Sequence, residues 1–131
     1  MILCEKEFQK LGIEARVATE DGSYGRGGMV TELLRELLST LNSQLSIIIY
    51  ACGPKDMLRE VAKISISSGV RSQASLEENM GCGVGACLGC VVKVKSKKPS
   101  TLNFQPLTTN SFVYKRVCKD GPIFDLDDVI W

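Results

Sequence analysis

Gly81-Cys82-Gly83-Val84-Gly85-Ala86-Cys87-Leu88-Gly89-Cys90 is the stretch on which the reading turns. Its three cysteines stand at C-x4-C-x2-C spacing, and Cys118 follows 28 positions after Cys90. Four thiolates that converge on one compact cluster need a tight loop for three of them and a returning segment for the fourth. The glycines serve the same end, because a residue without Cβ takes positive φ and lets backbone N–H groups approach sulfur. Such donors favour the more negative, reduced state of a cluster. The pattern predicts a [2Fe–2S] cluster on Cys82, Cys87, Cys90 and Cys118. A structural Cys4 zinc site is the alternative, but such sites usually show two short cysteine pairs, and the second pair is missing here.

Composition narrows the field. The 131 residues are 44% hydrophobic and 24% charged, with a net charge of +1. That is a globular composition with no general pull toward nucleic acid or a membrane surface. No apolar run approaches the ~20 residues that span a bilayer, and the acidic start is unlike a signal peptide. A cytoplasmic location is expected, where six cysteines call for a reason other than disulfides. There is no histidine, which removes Rieske ligation, Cys/His zinc fingers and His-based nucleophile pairs.

Upstream of the cysteine loop the chain alternates helix and strand. Glu5–Leu11 reads as a short amphipathic helix and Glu14–Thr19 as a strand. Leu33, Leu34, Leu37, Leu38 and Leu41 form one stripe of a helix near Thr31–Leu41. The apolar run Leu45–Tyr50 suits a strand buried on both faces. Pro54 opens a helix over Asp56–Ile64, and Val70–Ala74 is a further short strand. This βαβ order implies a parallel sheet. From residue 75 the character changes. Ser75-Leu76-Glu77-Glu78 fits a capping box opening a short helix, Val91–Lys95 an edge strand, Ser96–Ser111 a long loop and Phe112–Cys118 another strand. Gly81–Ala86 also satisfies G-x-G-x-x-A, but it does not follow a strand, so the dinucleotide reading is set aside. Of the two remaining cysteines, Cys4 reads as a small apolar filler. Cys52 sits at the carboxyl end of a strand, where α/β sheets bind ligands.

Glu77 to Val92, and Arg116-Val117-Cys118-Lys119-Asp120-Gly121-Pro122-Ile123-Phe124-Asp125 with the closing Trp131, resemble the electron-transfer subunit of NAD-dependent dihydroorotate dehydrogenase. Thr19–Gly25 and Tyr50–Pro54 resemble the later half of a ferredoxin-reductase-type NAD-binding domain. The resemblance implies an α/β fold in two parts. Residues 1–74 would be a partial NAD-binding domain with a parallel sheet, and residues 75–131 a [2Fe–2S] lobe with short antiparallel strands. It implies that Cys82 and Cys87 hold one iron and Cys90 and Cys118 the other. It sets Cys52, Gly53 and Pro54 near the nicotinamide of NAD, and Thr19 and Asp21 near the adenosine. Single electrons would pass between an FAD/NAD site and the FMN of a catalytic partner subunit in pyrimidine biosynthesis. The family's FAD barrel and its first glycine-rich turn lie outside this sequence. The reading is therefore of a truncated member, inactive alone, whose FAD domain another chain could supply. A stand-alone ferredoxin-like carrier is the competing reading.

The spacing from Cys90 to Cys118 is longer than the family's, and the excess falls in Lys95–Ser111. Lys93, Lys95, Lys97 and Lys98 in and before it read most simply as a solvated loop, with a docking patch for an acidic partner as the alternative. Loop-closure entropy changes slowly with length, so replacing Lys97–Asn110 with a short Gly-Ser link is expected to leave cluster content unchanged. Iron and acid-labile sulfide assays check this; loss of the cluster would mean that the segment positions Cys118.

Overall fold

The computed structural model describes residues 4–41, 46–96 and 112–131. It forms two compact units that divide between residues 43 and 44. In the first unit, α1 (Glu5–Lys10) is followed by two short strands, β1 (Ala18–Thr19) and β2 (Arg26–Gly27), and by α2 (Val30–Thr40). β1 and β2 pair in parallel, Ala18 with Arg26 and Thr19 with Gly27. The chain between them turns tightly at Gly25, where φ is +67° and a Cβ would collide with the Val17 carbonyl. Arg26 pairs with Glu36 of α2 at 2.7 Å. The leucine stripe of α2 is half-buried.

The second unit is built on a three-stranded sheet of order β3–β4–β7. β3 (Ile48–Cys52) runs parallel to β4 (Arg71–Ser75), and α3 (Lys55–Ser68) connects them. α3 begins after Pro54 and stops at Gly69, whose left-handed backbone (φ +65°) lets Val70 N–H bond back to the Ser65 carbonyl. Leu58, Val61, Ala62, Ile64 and Ser65 recur at helical spacing and are buried. The buried Ser72 of β4 donates to Ser65 Oγ at 2.8 Å, and Ser65 donates to the Ala62 carbonyl at 2.9 Å. Two core hydroxyls are thus satisfied in series.

β5 (Val91–Lys95) and β6 (Phe112–Arg116) form an antiparallel pair, and α4 (Val117–Asp120) follows directly. A cis Gly121–Pro122 peptide then leads into β7 (Ile123–Asp125), which runs antiparallel to β4. β5 alternates as expected, burying Val92 and Val94. The tail closes over its other edge, with Lys95 N–H bonding the Asp128 carbonyl and Ile130 N–H the Lys93 carbonyl.

The α/β class expected from sequence holds, and β3–β4 is the parallel pair. Several details differ. The sheet is mixed, because β7 adds in antiparallel. Of the Leu45–Tyr50 run, the described part is not buried on both faces: Tyr50 is 73% exposed, since α3 packs on one side only within this unit. Residues 75–78 form no helix. Leu76 is buried and its N–H bonds the Pro122 carbonyl, so pairing with the β7 entry outcompetes the capping box. Cys118 lies in α4, not at the end of a strand. The strand expected over Glu14–Thr19 is reduced to β1. The boundary expected at residue 74 falls within β4, and Lys97–Ser111 lie outside the described residues. No described helix is long and apolar enough to cross a membrane.

Leu58 is 2% exposed beneath the sheet. Leu58→Ala is expected to cost about 2–5 kcal/mol of unfolding free energy through transfer and cavity terms, measured by urea denaturation.

Candidate iron–sulfur site

The cysteine loop has little regular structure, and its shape comes from backbone conformation. Gly83 and Gly85 lie at φ +68° and +80°, and Leu88 at +58°. These turns aim N–H groups at sulfur. Ala86 N–H and Cys87 N–H reach Cys82 Sγ at 3.3 and 3.4 Å, and Gly89 N–H reaches Cys87 Sγ at 3.4 Å. At the far side, Cys118 N–H reaches Cys90 Sγ at 3.5 Å. The β5–β6 pair makes that last contact possible: Val91 is registered with Arg116, and Val117 N–H bonds the Cys90 carbonyl.

The thiols meet in two pairs. Cys87 bonds Cys82, whose pKa is pushed down to about 6, first by the Cys87 N–H and then by the Val84 N–H and the Cys87 thiol. Cys90 is lowered, chiefly by the Cys118 N–H. Cys118 is raised, chiefly because it shares its proton with Cys90, with burial adding to the effect. Cys82 and Cys118 also feel each other's charge. Among the described residues no three Cys, Asp or Glu side chains converge as a single ion would need. Two linked thiol pairs, all sulfur, with backbone donors on Cys82, Cys87 and Cys90, fit the donor set of an iron–sulfur cluster. The thiols grouped here are those the resemblance assigns to the two irons.

The other expected residues are distributed differently. Cys52 is exposed at the end of β3, with Sγ 3.9 Å from Glu77 Oε1. Gly53 and Pro54 line a cavity of about 370 Å³ with Lys55, Glu77, Glu78 and Trp131. Thr19 and Asp21 belong to the first unit and are engaged within their own turn. Thr19 Oγ1 donates to the Tyr24 carbonyl at 2.8 Å and accepts from Tyr24 N–H, while Asp21 Oδ1 accepts from Ser23 N–H. Cys4 is exposed, so it is not the apolar filler expected: it precedes α1 in a left-handed conformation rather than under a packed face. Lys93 and Lys95 are not simply solvated. Lys93 lies over the Phe112 ring at 5.2 Å, and Lys95 bonds the Asp127 carbonyl. Sequence reading missed Glu77 as the neighbour of Cys52, because its helix-cap pattern hid it.

Residues 77–130 match the model of the iron–sulfur cluster binding domain of dihydroorotate dehydrogenase B. The chain is 43% identical over 126 residues to the dihydroorotate dehydrogenase B (NAD(+)) electron transfer subunit of Caldanaerobacter subterraneus subsp. tengcongensis, covering 96% of this chain and 44% of that one. The homologous subunit of Aquifex aeolicus is 39% identical over 112 residues, which is 86% of this chain and 36% of the relative. A solved NADH-dependent reduced ferredoxin-NADP oxidoreductase, studied for flavin-based electron bifurcation, superposes with a TM-score of 0.72 at 27% identity. It covers all of this chain and 39% of its own. Residues 77–130 are thus similar to the iron–sulfur cluster binding domain of dihydroorotate dehydrogenase B, and nearly the whole chain is similar to electron transfer subunits of that enzyme. It spans less than half the length of these relatives.

Serine is a harder and less acidic donor than thiolate. Replacing Cys82, Cys87, Cys90 or Cys118 with serine is expected to lower cluster occupancy, whereas Cys4→Ser and Cys52→Ser leave it intact. Iron content and EPR of the six variants check this, and a full, stable cluster in Cys118→Ser would remove it from the ligand set.

Proposed function

We propose that the chain is an iron–sulfur electron-transfer component, relaying single electrons between an FAD/NAD site and a partner flavoprotein. The partner proposed is the FMN-containing catalytic subunit of dihydroorotate dehydrogenase, which places the chain in pyrimidine biosynthesis. The observation that carries this reading is the meeting of Cys82 with Cys87 and of Cys90 with Cys118, within a segment of the matching family. When bound, a [2Fe–2S] cluster supplies one-electron redox chemistry, which this chain's side chains cannot provide. The four thiolates hold it. The N–H groups of Ala86, Cys87, Gly89 and Cys118 lie against their sulfurs and stabilise added negative charge.

The loop's outer surface is apolar: Val84 is 70% and Leu88 60% exposed. Leucine at positive φ carries a backbone cost of roughly 1 kcal/mol. A side chain held there and turned to solvent offers an anchor to a flavoprotein that must approach the cluster closely. In the same reading Cys52, Gly53 and Pro54 border the nicotinamide, since they lie at the carboxyl end of a parallel strand beside a cavity. Thr19 and Asp21 serve the adenosine end.

Anaerobic reconstitution is expected to load about two irons and two sulfides per chain, with an EPR signal on reduction. The reduced protein should be reoxidised by the FMN subunit, and Leu88→Asp should slow that transfer without changing iron content. Stoichiometric zinc that iron and sulfide cannot displace would overturn the reading.

A further inference from the structure

We propose that Arg116 is a positioning residue for the cluster site: it clamps the cysteine loop to the turn bearing Cys118, and its charge holds the site's reduction potential up against Asp120. This rests on the electron-transfer reading above. Arg116 closes β6, two residues before Cys118. Its backbone N–H and Nε both donate to Asp120 Oδ2, at 2.8 and 3.0 Å, and Nη2 donates to Asp120 Oδ1 at 3.2 Å. These bonds close the short α4, which has too few residues to stand on its own hydrogen bonds. The remaining arm, Nη1, reaches 31 positions back and donates to the Gly85 carbonyl at 3.1 Å.

Gly85 lies between Cys82 and Cys87, so one planar group fixes both the local ligands and the distant one. The approach depends on glycine, because a Cβ at Gly85 would stand 2.9 Å from Lys119 Cδ and 3.3 Å from Arg116 Nη1. Only a guanidinium offers donors in a fork that serves two acceptors at once. A lysine would keep the charge and lose the clamp.

The charge has its own consequence. Adding an electron to the site adds negative charge, which a nearby cation stabilises and a nearby carboxylate opposes. Arg116 and Asp120 share the same hydrogen bonds, so a purely structural role predicts that removing either moves the potential the same way. A charge role predicts opposite shifts.

The test is an EPR-monitored redox titration of reconstituted Arg116→Gln, Arg116→Lys and Asp120→Asn, with the rate of iron release to a chelator. The expected result is a lower midpoint potential in Arg116→Gln, a higher one in Asp120→Asn, and a value close to wild type in Arg116→Lys. Iron release is expected to rise roughly tenfold in all three, the scale of one charged hydrogen bond. If Arg116→Gln holds no cluster, the lysine and asparagine variants carry the comparison. Shifts of one sign in Arg116→Gln and Asp120→Asn, or none, overturn the proposal. So does unchanged iron release in Arg116→Lys. A wild-type chain that binds no cluster would instead defeat the electron-transfer reading itself.

Discussion

The register of β5 on β6 is the constraint from which the site follows. Val91 opposite Arg116 brings together two cysteines far apart in the chain, because Cys90 precedes one partner and Cys118 follows the other by two. A strand's side chains alternate between faces, so a slip of one residue would turn Val92 and Val94 out of the core as well as separate the sulfurs. The same apolar contacts that fold the lobe therefore set how Cys90 and Cys118 meet. The tail adds to this: by pairing along β5 it pins the strand from its other edge, and Val94 bridges Val129.

The lobe and the sheet are not independent. β7 begins five positions after Cys118 and pairs with β4, so Cys118 is tied through a short turn to the strand that α3 packs against. Glu77 and Glu78 leave β4 in the opposite direction and reach Cys52 and Lys55. The carboxyl end of β3, the cavity beside it and the cysteine loop are consequently held in one compact unit.

What was legible in the sequence was whatever local spacing decides. The C-x4-C-x2-C run marked the loop, Pro54 at a first helical turn marked α3, and alternation in Val91–Lys95 marked β5. What was not legible depends on partners distant in sequence. Ser75–Glu78 has good capping residues, yet Leu76 joins β7 and no helix forms. The apolar run before Tyr50 suggests a strand covered twice, but the number of covering layers is not written in the strand. The Arg116–Gly85 contact spans 31 positions, and neither residue type announces it.

The serial hydroxyl pair under the sheet bears on how this sequence can drift. Ser72 gives its proton to Ser65, and Ser65 gives its own to the backbone. Alanine at 65 alone would strand a buried donor at 72, whereas alanine at 72 alone removes the first donor and leaves Ser65 bonded to Ala62. Replacing both leaves nothing unsatisfied. The route from two serines to an all-apolar core is thus directional: position 72 must change first, and among relatives an apolar residue at 65 is expected only where 72 is already apolar.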